Sequence, residues 1–245
     1  MGVIWFDTKS SRDYGIIVED FPTLCHPAKR GEAYQVMGRS GTFYREDGTY
    51  DNYVQPYNIA IREGDFRRAD LRANDIAAWL LGSKGYTMLE DSFEPEHFRL
   101  ARFAGPMNIA QLLGLYGRCT LEFDCRPERW LKSGTKRLNI LDNASVFNPT
   151  QFPAKPLIYV TSAVDIAIKI NGTSWLTIAT EGVSTTAVID CDEMTVQNSS
   201  GVSIMDKVTF ASTWNEFPVL QPGISTFTLT GSETAFEIVP GWWTI

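Results

Sequence analysis

The residues able to do chemistry in this chain are few and scattered. Its only imidazoles are His26 and His97. Nucleophilic catalysis needs a Ser or Cys with a base held in reach, yet no G-x-S-x-G surrounds any serine, and His26 merely follows Cys25. Neighbours on a strand point to opposite faces, so Cys25 and His26 do not form a thiolate pair. Asp190 and Asp192 lie two apart, and on a strand they share a face, the arrangement from which a glycosidase or a calcium site would start. Glu193 follows them, but no second acidic motif and no D-x-[DN]-x-[DN]-G loop completes either site. Cys25, Cys119, Cys125 and Cys191 show no CxxC spacing, so zinc is not expected and buried free thiols are. Phosphate-binding glycine loops are absent as well. The residues therefore predict a protein that is not an enzyme and that uses no cofactor or metal.

Two sets of aromatics invite binding instead. Trp175, Trp214, Trp242 and Trp243 in the second half would suit sugar stacking if exposed and a hydrophobic core if not. Trp175 and Trp214 are the candidate ligand residues, and a module recognising cell-wall polysaccharide is the alternative reading they carry. The segment 34–62 holds Tyr34, Tyr44, Tyr50, Tyr53 and Tyr57 together with Arg39 and Arg45. Tyr and Arg are over-used at protein interfaces, so this segment reads as an arm reaching a neighbouring subunit; the bland reading is that the tyrosines cover their own sheet. Arg62, Arg67, Arg68 and Arg72 make a basic cluster, but Glu63, Asp65, Asp70 and Asp75 are interleaved with it, which favours salt-bridged protein contacts over DNA.

What positions these residues is mostly β structure. Short runs of Val, Ile, Phe, Tyr and Thr are broken by turn residues throughout. Residues 14–19 make one strand. Residues 34–62 read as a long hairpin with turn signals at Gly38-Arg39-Ser40-Gly41 and Asp47-Gly48. A single helix follows, with Asn74 or Asp70 as its N-cap and Ile76, Ala77, Trp79, Leu80 and Leu81 as its buried face, ending at Gly82. Strands are expected over 86–89, 98–103 and 117–124. In the last of these, Cys119, Leu121 and Phe123 alternate with Thr120, Glu122 and Asp124, the period of a half-buried strand. The second half reads as a β-sandwich, with strands at 157–161, 166–170, 174–179, 186–190 and 227–230 and turns at Asn171-Gly172, Glu181-Gly182 and Pro222-Gly223. Residues 145–156, with Pro149, Pro153 and Pro156, look like a linker or the first strand edge.

Charge divides the chain of 245 residues in the same place. Residues 1–140 hold 19 basic and 19 acidic side chains, whereas 141–245 hold 3 and 10, so the whole net charge of −7 lies in the second part. This predicts one domain over 1–140 and another over 141–245, and it excludes nucleic-acid binding by the latter, since phosphate neutralisation needs clustered Lys and Arg. The first residues carry no basic segment followed by an apolar run, and Phe6 breaks a myristoylation motif. Synthesis in a cytoplasm, without membrane attachment, is the expectation.

The order of motifs resembles the distal tail (Dit) proteins of siphophages. The residues that carry the resemblance are Gly38-Arg39-Ser-Gly41, Ile76-Ala-Ala-Trp79-Leu80, Gly85-Tyr-Thr-Met-Leu89, Pro95-Glu-His-Phe98-Arg-Leu-Ala101 and Gly117-Arg-Cys-Thr-Leu-Glu-Phe-Asp-Cys125-Arg-Pro127. Downstream they are Asn148-Pro149, Pro156-Leu-Ile158, Ile168-Lys-Ile170-Asn171-Gly172, Ile189-Asp190 and Phe217-Pro-Val-Leu-Gln-Pro-Gly223. The resemblance implies a mainly β protein: an N-terminal β-sandwich-like, ring-forming domain with one helix and a projecting hairpin, then a C-terminal galectin-like β-sandwich whose last strand may return to the first domain. It also implies a homohexameric ring at the tip of a phage tail, joining the tail tube protein to the tail-tip hub protein. Receptor-binding or baseplate proteins would dock on its periphery, and DNA would pass through its channel without specific binding. No inserted carbohydrate-binding module fits within this chain. A galectin-like fold would not by itself imply sugar binding.

Overall fold

The structure is a computed structural model that describes residues 2–61, 69–105, 118–212, 216–230 and 235–245. It is mainly β, as the sequence predicts, and the chain divides into two compact units: residues 1–129 with Ile245, and residues 130–244. The step in charge at residue 140 falls inside the second unit.

In the first unit, β1 (Ile4–Phe6), β2 (Lys9–Ser10), β3 (Ile16–Val18), β4 (Lys29–Gln35), β5 (Thr42–Tyr50) and β6 (Tyr53–Ile61) precede the helix α1 (Ala69–Leu81). After it come β7 (Thr87–Asp91), β8 (His97–Phe103) and β9 (Arg118–Leu131). One antiparallel sheet runs in the order β2-β1-β7-β8-β9-β6-β3. It curls until Gly2 bridges Val18 on β3, with backbone hydrogen bonds of 2.8 and 3.1 Å, so the sheet largely covers its own edges. Strict alternation supplies the inner face: Tyr53, Tyr57 and Ile59 from β6 and Leu121, Phe123 and Cys125 from β9 are buried, whereas Val54, Asn58, Thr120 and Glu122 face out.

The helix closes this core with Ile76, Trp79 and Leu80, the i, i+3, i+4 stripe of an amphipathic helix. The Trp79 indole N–H donates to the Phe6 carbonyl at 2.9 Å, and Tyr14 stacks on the ring at 4.6 Å. Two details differ from the sequence reading. The helix runs from Ala69, so Asp70, Asn74 and Asp75 lie inside it and neither Asp70 nor Asn74 is its cap. Leu81 is 62 % exposed, because it sits about 100° around the helix from Leu80 and leaves the buried stripe.

Among the described residues, strands β4 and β5 pair only with each other. They form a ribbon whose residues are nearly all exposed, joined by a turn over 36–41 in which Arg39 N–H donates to the Val36 carbonyl. This ribbon is shorter than the hairpin read from the sequence. Its base closes where Asp51 N–H donates to the Ala28 carbonyl, and β6 belongs to the curled sheet. Asp47-Gly48 is not a hairpin tip but a bulge within β5, opposite the register break between Lys29 and Gly31. Asp47 Oδ1 accepts from both the backbone N–H and the hydroxyl of Thr49, and Gly48 supplies the positive φ of 81°.

The second unit contains β10 (Leu138–Asn139), β11 (Ser145–Asn148), β12 (Leu157–Ser162), β13 (Ile166–Ile170), β14 (Thr173–Ile178), β15 (Thr185–Asp190) and β16 (Thr195–Asn198). The chain continues through β17 (Val208–Phe210), β18 (Gly223–Thr230), β19 (Ala235–Val239) and β20 (Trp243–Thr244). Two five-stranded sheets, β10-β19-β12-β15-β16 and β11-β18-β13-β14-β17, make the sandwich. Ile158, Val160, Ile189 and Ile238 from one sheet meet Ile166, Ile168, Ile178 and Phe227 from the other. Asn171-Gly172 turns β13 into β14 with both residues in the left-handed region (φ 52° and 78°), as a two-residue hairpin requires. The proline-rich stretch after Ala144 is part of the sandwich: β11 is an edge strand, Asn148 Nδ2 donates to the carbonyls of Phe152 and Leu220, and Ala154 bridges Leu220. The last residues of β9 belong to this unit, where Leu131 N–H donates to the Trp242 carbonyl.

Candidate interaction surface

The candidate arm residues separate into two groups. Tyr34, Arg39, Tyr44 and Arg45 lie on the ribbon, with Tyr50 half-buried at its base. Tyr53 and Tyr57 lie on β6 and point into the core, because their positions share the inward parity of Ile59. Buried side chains cannot contact a neighbouring subunit, so these two are removed from the arm.

The ribbon's faces are unlike. On one, Tyr44 lies flat over Gly31 and its hydroxyl donates to the Lys29 carbonyl at 3.1 Å. A Cβ at Gly31 would sit 2.7 Å from the Tyr44 ring and 2.6 Å from the Arg45 carbonyl oxygen, so only glycine fits. On the other, Glu32 accepts from the Tyr34 hydroxyl, Arg45 stands opposite Glu32, and the Arg39 guanidinium lies 4.4 Å from the Phe43 ring. Lys29–Glu46 and Arg30–Asp51 are exposed ion pairs. The tip carries two exposed apolar residues, Val36, about half exposed, and the fully exposed Met37.

The tyrosines that turn inward serve a buried polar network. Tyr57 Oη donates to Asp91 Oδ2 at 2.8 Å, and Arg99 donates to Tyr53 Oη and Asp91 Oδ2 at 3.1 Å each. Arg99 also pairs with Glu94, which Arg129 holds from the other side at 2.7 Å. Asp91 Oδ1 accepts from the backbone N–H groups of Phe93 and Glu94. Arg99 and Asp91 are almost wholly buried, and burial pushes the Tyr53 phenol up to about 12 despite the nearby guanidinium. Every charge here is paired, the condition for keeping charges inside a core. The network is structural.

A second polar group lies on the sheet's outer face. Asp124 accepts from Tyr86 Oη at 2.8 Å, Arg102 Nε at 2.7 Å and Asn52 Nδ2 at 3.1 Å, while Arg126 lies 5.2 Å from the Tyr86 ring. Burial alone would raise the Asp124 pKa, but these hydrogen bonds outweigh it and hold the carboxyl below its ordinary value. Such a group contributes stability at pH values above its unfolded pKa and loses it as pH falls through the folded one. Tyr86→Phe is expected to move the Asp124 titration midpoint upward, followed by carboxyl-carbon NMR; an unmoved midpoint refutes the assignment.

The sequence reading missed a pocket of about 250 Å³ on the first unit, lined by Trp5, Thr8, Met88 and Glu90. Trp5 points outward between the buried Ile4 and Phe6, and Trp5 and Met88 are 37 % and 43 % exposed. The lip is the β1–β2 turn, where Asp7 and Thr8 take φ values of 51° and 67° without a glycine. A β-branched residue in this conformation is strained. The available signal was Trp5 itself, an aromatic on the outward parity of a strand.

The remaining candidates find ordinary places. Trp175 packs against the sandwich core, with its indole N–H buried and unpartnered among the described residues. Trp214 and the clustered Arg62, Arg67 and Arg68 lie outside the described residues, as does the side chain of Arg72. Trp242 is buried, and Trp243 stacks on Phe152 and donates to the Pro153 carbonyl. Asp190 caps the following turn through the N–H groups of Asp192 and Glu193, and Asp192 pairs with Lys155. Burial raises the thiol pKa values of Cys119 and Cys125 to about 11 and 12. Among the described residues no cluster of His, Cys, Asp and Glu is suited to a metal ion, and no helix is long and apolar enough to cross a membrane.

No known protein family's sequence profile matches the chain, and no curated protein matches it in sequence. Solved structures do. The baseplate of phage p2 in its activated conformation is similar at a TM-score of 0.49 and 10 % identity, over 97 % of each chain. The Dit protein of phage SPP1, described as a paradigm of the hub adsorption apparatus in phages infecting Gram-positive bacteria, matches over 100 % of both chains at a TM-score of 0.75 and 15 % identity. Its described residues form one α-helix, a curled sheet, a two-stranded ribbon and a sandwich, and over its whole length this chain has the fold of the SPP1 Dit protein.

Proposed function

We propose that the protein is a structural component of a phage tail, a subunit that assembles with copies of itself into a ring at the distal end of the tail. The observation that carries this reading is the β4–β5 ribbon. A two-stranded ribbon is marginally stable at best in water, yet this one keeps both outer edges and nearly every side chain exposed, so it is built to be covered by another molecule. Likeness in fold to SPP1 Dit supports the same reading. Rings require a head-to-tail contact that closes by rotation, and a projecting arm supplies one half of such a contact.

The ring is a homohexamer that joins the tail tube protein to the tail-tip hub protein. Its central channel lets DNA pass without specific binding. The first unit, the bulk of residues 1–140, forms the ring, and the acidic stretch 141–245 of the second unit is the platform for receptor-binding or baseplate proteins. The protein is made in the host cytoplasm and resides in the virion. Light scattering and electron microscopy test this: the purified protein, alone or with its tail partners, is expected to give closed rings of six. A stable monomer at micromolar concentration that forms no rings even with those partners overturns the reading.

A further inference from the structure

We propose that the Val36–Met37 tip of one subunit's ribbon seats in the Trp5–Met88 pocket of the next subunit. This rests on the ring reading above and names the contact that closes it. Both halves of the contact are in the first unit, and the structure leaves both accessible: Met37 is fully exposed, and the partly exposed Trp5 and Met88 line their pocket. A flexible thioether against an indole is a favourable pairing, and methionine adapts to irregular pockets.

Charge complements shape. Arg39 is the sole charge of the turn, and among the described residues no carboxylate lies within ion-pairing distance of it; its guanidinium rests on Phe43, one strand position from the tip. The pocket's charged lining residue is Glu90, of opposite sign. Seating the tip therefore brings a cation to an acidic rim and buries two apolar side chains against two others. Because tip and pocket are different surfaces of one subunit, the contact is heterologous, so each copy gives one tip and receives another. The strained Thr8 at the lip fits such a site, since backbone strain persists where binding geometry demands it.

Two substitutions and a cross-link test the assignment on the full chain. A Met37→Cys, Met88→Cys double variant, oxidised after assembly, is expected to give a ladder of disulfide-linked oligomers on non-reducing gels, absent from either single variant and from the native protein. Met37→Asp is expected to weaken self-association at least about tenfold, as losing one anchor side chain does. Leu141→Asp, at a largely exposed position of the second unit, is the control expected to assemble normally. Rings that form normally with Met37→Asp and never cross-link in the double variant overturn this contact while leaving the ring reading intact. A native protein that stays monomeric with and without tail partners overturns both.

Discussion

Asp91→Ala is expected to destabilise the first unit by about 3–5 kcal/mol, the scale for removing one partner of a buried ion pair. The reason lies in what the carboxylate holds. Its Oδ2 takes hydrogen bonds from Tyr57 and Arg99, and its Oδ1 takes two backbone N–H groups of the β7–β8 connection. Alanine leaves Arg99 buried with Glu94 as its remaining carboxylate and strips the Tyr57 hydroxyl of its acceptor. The loss is one of desolvated, unmatched polarity more than of contact area. Thermal unfolding followed by circular dichroism reads it as a fall in midpoint on the order of 10 °C. Lys29→Ala breaks an ion pair of similar length on the exposed ribbon and is expected to leave the midpoint unchanged, because solvent screens exposed pairs. Equal effects from the two substitutions overturn the account of the network.

Phe236→Ala acts on the other unit. Phe236 is fully buried on β19 and meets Phe227 of the facing sheet at 5.4 Å between ring centroids, tilted by 57°. Truncating a buried phenylalanine costs about 3–5 kcal/mol, part transfer free energy and part cavity. The two units have separate hydrophobic cores, so the loss stays local. Hydrogen exchange is expected to show amides of β12 and β13 losing protection by roughly a hundredfold or more, with β6 and β9 unchanged. Uniform loss across both units would show that they unfold as one body.

The sandwich was the most legible part of the sequence. Ile166, Ile168 and Ile170 or Phe227 and Leu229 announce period two without help from distant residues, and Asn171-Gly172 specifies its own turn. The ribbon was legible as a hairpin but not in extent. Nothing local tells that Asp51 and Asn52 end one structure and that Tyr53 opens a strand of another, so tyrosines of two kinds were grouped by proximity. Asp47-Gly48 shows the same limit, since a bulge and a tip use the same left-handed glycine. Least legible was the polar network. Nothing in the local pattern marks Asp91 and Arg99 as buried; the β7–β8 register turns them to the inner face beside Leu89, and the Trp5 pocket appears only when β1 lies against β7. Both arise from pairing, which single-strand periodicity does not encode.

The ribbon's open edges also bear on how readily copies of the chain stack on one another. An unpaired strand edge is a template for any other strand, and copies made together would be expected to tangle. Lys29, Arg30, Glu32, Arg45 and Glu46 line this one with charges of both signs, and the Asp47-Gly48 bulge breaks its regularity, two devices by which natural sheets discourage fibre growth. The ribbon is thus solvent-facing yet poorly suited to promiscuous stacking.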